Sequence, residues 1–374
     1  MMNKKTGCAV LSLILIVLLV SGCSGVLTPE NTVLTVEPDV RNSAAITSFT
    51  ARQGGRVQDL SADGSQVLSI GQTAAGTRSA ALDIYDTASE SLVNLISSDV
   101  EIGSAMFTSK GIYYSRRTVR NQLTDDLYQI MWYSLDKSTE RTITVGDQTS
   151  TGVFTCWGED QIAYISSNHN LVLADSQNET ERFELDKNLS VKKIAWSPSE
   201  NALFLLGTTN DGETDDLYKM TINRNGTLDK SRVASHVIDF DYSENSGTVA
   251  YIHQELTDQG LYLTTAQTGF AKGYCILRAQ LNSVRFTEDG HSVIYTQAVA
   301  ESNTSNQSIW KTSIDTVSPI QISAPMQLTS NVCSAADQSP VYFSASDSYL
   351  GESAPQITSP NLLCVLTYSQ ENGQ

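Results

Sequence analysis

The chain has 374 residues and carries 24 Lys and Arg against 41 Asp and Glu, a net charge of −17. A surface so acidic repels nucleic acid and anionic lipid headgroups, which argues against a nucleic-acid partner and against membrane binding by charge. The six cysteines are too widely spaced to form a metal-ligand motif.

In chain order, the N-terminus comes first. Lys4 and Lys5 precede a 13-residue apolar run from Cys8 to Val20, followed by the small residues Ser21 and Gly22. This is the layout of an export signal, and the run is short for a bilayer span. Leu19-Val20-Ser21-Gly22-Cys23 resembles the lipobox of bacterial lipoprotein precursors, which implies removal of residues 1–22 and lipid attachment at Cys23. An ordinary secretory signal, with Cys23 there by chance, is the alternative. Two or more acyl chains, at about 0.8 kcal/mol per buried methylene, anchor a protein without help from its folded part. The expected location is therefore the outer side of a bacterial cell membrane, or the outer membrane in a two-membrane cell. Loss of Lys4 and Lys5 leaves 22 basic against 41 acidic residues. Residues 23–43 are polar and turn-prone and read as a flexible tether, with the folded domain over 44–374. Export also permits a disulfide, for which Cys333 and Cys364 are the first pair to test; buried free thiols are the other reading.

From about residue 58 one strand-turn-strand unit recurs. Its copies are Leu60-Ser61-Ala62-Asp63-Gly64 before Val67–Ile70, Phe107-Thr108-Ser109-Lys110-Gly111 before Ile112–Tyr114, and Trp157-Gly158-Glu159-Asp160 before Ile162–Ile165. Trp196-Ser197-Pro198-Ser199 precedes Leu203–Leu205, Tyr242-Ser243-Glu244-Asn245 precedes Val249–Ile252, and Phe286-Thr287-Glu288-Asp289-Gly290 precedes Val293–Tyr295. A degenerate seventh copy is Cys333-Ser334-Ala335-Ala336-Asp337 before Val341–Phe343. The anchors are 47, 50, 39, 46, 44 and 47 residues apart, averaging 45.5, the length of a four-stranded propeller blade. A third strand follows in each copy, at Leu82–Tyr85, Leu127–Ile130, Leu171–Leu173, Leu217–Met220, Leu261–Leu263, Ile309–Lys311 and Leu362–Val365, with a weaker fourth such as Leu92–Ile96 or Arg141–Val145.

A blade with two apolar faces cannot bury both alone, whereas a closed ring can. The expected fold is an all-β propeller of seven four-stranded blades. Six or eight blades remain open because the seventh copy is poorly formed. The last unit lacks an outer strand and residues 44–51 lack a partner, so the two ends are expected to share one composite blade.

Trp196-Ser197-Pro198 and Leu60-Ser61-Ala62-Asp63-Gly64 resemble the WD40-like repeats of TolB-type β-propellers of exported bacterial proteins, over roughly residues 58–345. The resemblance implies architecture and says little about activity. The α/β domain that precedes the propeller in TolB has no counterpart here, so TolB's partner is not carried over.

Catalytic motifs are not evident. The string nearest to a Gly-x-Ser-x-Gly elbow, Gly351-Glu352-Ser353-Ala354-Pro355, ends in proline and reads as a loop; there is no His-Glu-x-x-His and no Cys-x-x-Cys. In a propeller, the loops joining second to third strands open on one rim. That geometry gathers His169, His253, Asp211, Glu213, Asp215, Asp216, Glu255 and Asp258 there, together with the basic stretch Arg116, Arg117 and Arg120. Solvated turns are the simpler reading of these acids and histidines, so no metal and no cofactor is expected. Long hairpins on a rigid ring are where binding concentrates, and the expected contact face is Arg116, Arg117, Arg120, Asp211, Glu213, Asp215, His253 and Glu301. The function expected is noncatalytic binding or scaffolding of an envelope protein, peptide or glycan. The alternatives are a metal-assisted polysaccharide lyase or hydrolase, and an extracellular sensor acting through a membrane partner.

Overall fold

The computed structural model describes residues 32–34, 45–72, 80–118, 127–144, 149, 152–177, 179–209, 212, 214–255, 258–271, 273–298, 306–346 and 361–369. These form seven antiparallel sheets arranged as a propeller. Strands within a blade follow the chain outward from the axis. The first blade runs Arg56–Leu60, Gln66–Gln72, Ala80–Asp86 and Ser91–Ser98; the fourth runs Leu189–Ser197, Ala202–Thr209, Asp216–Ile222 and Leu228–Ala234. The inner strands of the second, third, fifth and sixth blades are Ile102–Phe107, Phe154–Trp157, Val237–Ser243 and Leu281–Phe286. Each repeat anchor sits at or near the end of an inner strand, and the turn after it leads into the second strand.

Alternation explains the layering. Second and third strands lie between neighbouring blades and are buried on both faces, as in Ala202–Leu206, while an outer strand such as Ser91–Ser98 meets solvent. The buried apolar residues fall into seven clusters, each filling the seam between two consecutive blades. Leu68, Leu82, Ile112 and Tyr114 join the first to the second. Leu171, Leu203 and Leu205 join the third to the fourth. Val57, Val67, Tyr342 and Leu363 join the seventh back to the first. Seven seams for seven blades means a closed ring. Each such side chain contributes about 1.5 to 3 kcal/mol on burial.

Closure follows the composite arrangement expected from the sequence. Ala45–Gln53 pairs with Leu362–Ser369, so the beginning and the end of the chain share the seventh blade. Within the segment expected to be a flexible tether, Thr32–Leu34 forms a short strand paired with Phe49–Ala51; the outward edge of Ala45–Gln53 carries backbone groups that such a strand satisfies. The sixth and seventh blades are also joined by charge: Lys311, with a side chain only 3% exposed, pairs with Asp337 and donates to the Tyr368 hydroxyl at 2.9 Å.

The disulfide does not form. Cys333 and Cys364 are free thiols. Cys333 lies opposite Tyr342 and Cys364 opposite Phe343, on strands separated by Val341–Ala345. Tyr342 and Phe343 are consecutive and face opposite sides of the sheet, so the two thiols do also; one packs in the seam to the first blade and the other in the seam to the sixth.

Candidate functional site

The inner strands enclose an axial channel of about 1370 Å³. Five of them carry a β-bulge near the start, between Val57 and Asp59, Ile102 and Ala105, Val191 and Lys193, Val237 and Asp239, and Leu281 and Ser283. A bulge sets two consecutive residues against one partner. As a result Gln58 lines the channel beside Asp59, Gly103 beside Ser104, and Lys192 beside Lys193. Buried hydroxyls support the bulged segments: Ser104 N–H donates to Ser115 Oγ at 3.0 Å, and Ser283 and Thr296 share a hydrogen bond of 2.8 Å.

The residue before the anchor faces the channel in six blades: Asp59, Met106, Cys156, Ala195, Asp241 and Arg285. Asp59 and Asp241, together with Asp239 two residues earlier on the same strand, also staple blades together. Inner strands present backbone N–H groups toward the axis with no strand beyond them, and such donors need an acceptor. Phe107 N–H donates to Asp59 Oδ2 at 2.8 Å, Val284 N–H to Asp239 Oδ2 at 2.9 Å, and Phe286 N–H to Asp241 Oδ2 at 2.8 Å, each from the following blade.

Arg285 is the counter-charge for three carboxyl groups. Its Nη1 stands 3.9 Å from Asp241 Oδ1, and its Nε is buried without a hydrogen-bond partner. Burial drives the Asp59 carboxyl above the ordinary aspartate range, although the Phe107 N–H and the charge of Arg285 oppose the shift. Glu288, in the turn after the sixth anchor, is raised as well, by burial first and then by the charges of Asp59 and Asp241, with Arg285 opposing. One guanidinium faces three carboxyl groups, two of which, Asp59 and Glu288, hold their protons more tightly than usual. The cluster can accept a cation, donate a hydrogen bond from a protonated carboxyl, or exchange a proton. The Cys156 thiol donates to Phe107 O at 3.1 Å and is held protonated by burial, so it is a packing group and not a nucleophile.

The two mouths differ in charge. At the turn end lie Asp63, Glu244 and Glu288 with the indoles of Trp157 and Trp196. Its turns are tied from blade to blade: Ser199 N–H donates to Glu244 Oε1 at 3.0 Å, Asn245 Nδ2 to Glu288 O at 2.8 Å, and Glu288 N–H to Ser334 O at 3.1 Å. At the other end Arg56, Lys192 and Lys193 line the wall with Glu101 and Asp239. There Lys193 Nζ meets Asp239 Oδ1 at 2.7 Å and Lys192 Nζ meets Asp215 Oδ2 at 2.7 Å.

Four of the eight expected contact residues are described, and each has partners of its own. Arg116 and Arg117, consecutive on a strand, pair with Glu140 at 2.8 Å and Glu101 at 3.3 Å. Asp215 takes Lys192 and the hydroxyl of Thr208. His253 packs against His236 and Tyr262, with ring centroids 6.1 and 5.6 Å away. Arg117 and Asp215 nevertheless bear on the channel, because their partners Glu101 and Lys192 line it. Arg120, Asp211, Glu213 and Glu301 lie outside the described residues, as does Cys23. Among the described residues, no group of three or more His, Cys, Asp or Glu is arranged to hold a metal ion. The sequence reading missed Asp59, Asp241, Arg285 and Glu288. Its available signal was a charge beside an anchor: three of them immediately precede Leu60, Tyr242 and Phe286.

No protein-family model matches the chain, and no curated protein matches it in sequence. Solved structures do. The oligogalacturonate lyase of Vibrio parahaemolyticus is 11% identical, with 90% of this chain and 98% of that one covered and a TM-score of 0.60. The Cps50 (Swd1) β-propeller domain of Myceliophteria thermophila is 11% identical over 86% and 100%, with a TM-score of 0.59. TolB of Acinetobacter baumannii is 17% identical over 69% of this chain, at a TM-score of 0.47; the match spans 63% of TolB's own length. At such identities the first two establish the β-propeller fold and nothing finer.

Proposed function

We propose that the protein is a noncatalytic binding propeller, held by lipid on Cys23 at the outer side of a bacterial membrane. It takes a cation-bearing segment of an envelope protein or peptide into the turn-end mouth of its channel. The observation that carries this reading is the excess of carboxylates there. Asp59, Asp241 and Glu288 face the single guanidinium of Arg285, with Glu244 and Asp63 at the opening. A cavity of about 1370 Å³ exceeds the usual small-molecule range of about 300 to 1,000 Å³ and suits a chain segment. Charge complementarity of this kind sets partner choice and association rate.

A lysine-rich decapeptide titrated against the protein should bind saturably, weaken with salt, and lose about tenfold in affinity when Asp63→Asn and Glu244→Gln are combined. Equal binding of the glutamate counterpart would overturn the reading. Cys23→Ser should move the protein from membranes to the soluble fraction; continued membrane association would remove the anchor.

A second reading, a polymer-cleaving enzyme, draws on Asp59 and Glu288. Carboxyls of raised proton affinity in an open channel beside an arginine are equipment for general acid-base chemistry. Cleavage of a polysaccharide by the wild type that Glu288→Gln abolishes would select it.

A further inference from the structure

A second cavity, of about 760 Å³, follows the seam between the third and fourth blades at the turn end, from the inner strands out to Glu181–Phe183. The third repeat is the shortest, with 39 residues between its anchor and the next. The two anchors of this seam are the tryptophans. Trp157 and Trp196 stack with centroids 4.4 Å apart and planes 24° from parallel, and both line the channel and the groove. They form a lip where one cavity meets the other. Around the lip stand side-chain amides, Gln161, Asn201 and Asn223, and two opposed pairs of charges, Arg182 and Arg224 against Asp175 and Glu181. Local charge is balanced, in a chain whose total is −17.

We infer that this groove is a binding site for a neutral oligosaccharide, with a sugar ring seated against the Trp157–Trp196 pair. Two features point to that class. Indole faces accept the C–H face of a pyranose, and amides and guanidinium groups meet its hydroxyls. The zero local charge gives a polyanion nothing to offset the acidic surroundings. Nor does the groove offer a polycation the excess carboxylate found in the channel. The inference stands apart from the channel reading, since Arg285 and Asp241 take no part in it.

The test is a titration of the full chain with chitohexaose, cellohexaose and maltohexaose, read by calorimetry and by saturation-transfer NMR. At least one should bind saturably, with ring protons receiving saturation. Trp157→Ala and Trp196→Ala should each weaken binding tenfold or more, and Val93→Ala, on the exposed outer strand of the first blade, should leave it within twofold. Gln161→Ala, at an exposed position, should weaken it severalfold without disturbing the fold, which keeps the test open if a tryptophan variant fails to fold. The proposal is overturned if none of the three sugars saturates the protein. It is also overturned if binding survives the Gln161 and tryptophan changes, or if a proline-rich peptide occupies the groove instead and displaces the sugar.

Discussion

At the seam between the sixth and seventh blades, Phe49 and Phe343 meet with centroids 6.2 Å apart, and neither is more than 2% exposed. On the channel wall, positions equivalent by repeat hold Asp59, Met106, Cys156, Ala195, Asp241 and Arg285. Inner strands border both surfaces: Val57 and Leu60 pack in a seam while Asp59 between them lines the channel. A seam position must fill a fixed space between two sheets, so every blade answers it with a branched or aromatic side chain. A channel position borders solvent, so each blade is free to differ. The repeat therefore encodes the ring, and departures from the repeat encode the chemistry.

The largest expected effect breaks a seam. Phe343→Ala should cost about 3 to 5 kcal/mol, because the cavity lies between the composite blade and its neighbour; Met106→Ala, a comparable truncation on the partly solvated channel wall, should cost less than half of that. Chemical denaturation of the two variants measures the difference. Next is the charged tie across the same seam. Asp337→Ala strands the buried Lys311 ammonium beside Tyr368; because Asp337 itself is half exposed and water can replace part of the pairing, the cost should be about 1 to 2 kcal/mol. Lys311→Met in the Asp337→Ala background should restore most of it.

The third prediction crosses from seam to wall. Asp59 has a raised proton affinity in the folded state. Folded protein then holds more protons than the unfolded chain above the ordinary aspartate range, and stability falls as pH rises through that window. Asp59→Asn removes this dependence while its amide oxygen still accepts the Phe107 N–H. The variant should match the wild type near pH 4 and exceed it by about 1 kcal/mol at pH 8, as melting temperatures at the two values would show. A variant less stable than the wild type at pH 8 would mean that the carboxylate's role as a staple outweighs its burial.

These comparisons also mark what the sequence could tell. Anchors such as Phe107 and Trp196 and third-strand pairs such as Leu217-Tyr218 announce the blades because seam packing repeats. The unpaired stretch at residues 44–51 announced the closure because the last unit lacked an outer strand for it to supply. Bulges are silent: nothing in Lys192-Lys193 says that both side chains line one channel. Parity is silent too, since Cys333 and Cys364 lie in one sheet, a strand apart, yet face different seams. The rim residues were chosen by loop length, and the structure spends Arg116 and Arg117 on Glu140 and Glu101. The charges with unmet demands lie instead inside the anchor motifs, where apolar neighbours masked them.

The smallest effect lies at the channel mouth. Asp63 Oδ1 accepts from Ser61 Oγ at 2.7 Å, from Ser65 N–H at 3.0 Å and from Ser65 Oγ at 2.8 Å. These bonds hold its carboxyl down to about 2. The sign is opposite to that of Asp59. Here the folded state sheds its proton more readily than the unfolded chain, so the contribution is complete above the ordinary aspartate range and lost as pH falls toward 2. Because the group is exposed and screened, Asp63→Ala should cost only a few tenths of a kcal/mol at pH 6. At about pH 2 and below the difference should close. A cost that persisted there would show that the turn is held by Asp63 through packing and not through its charge.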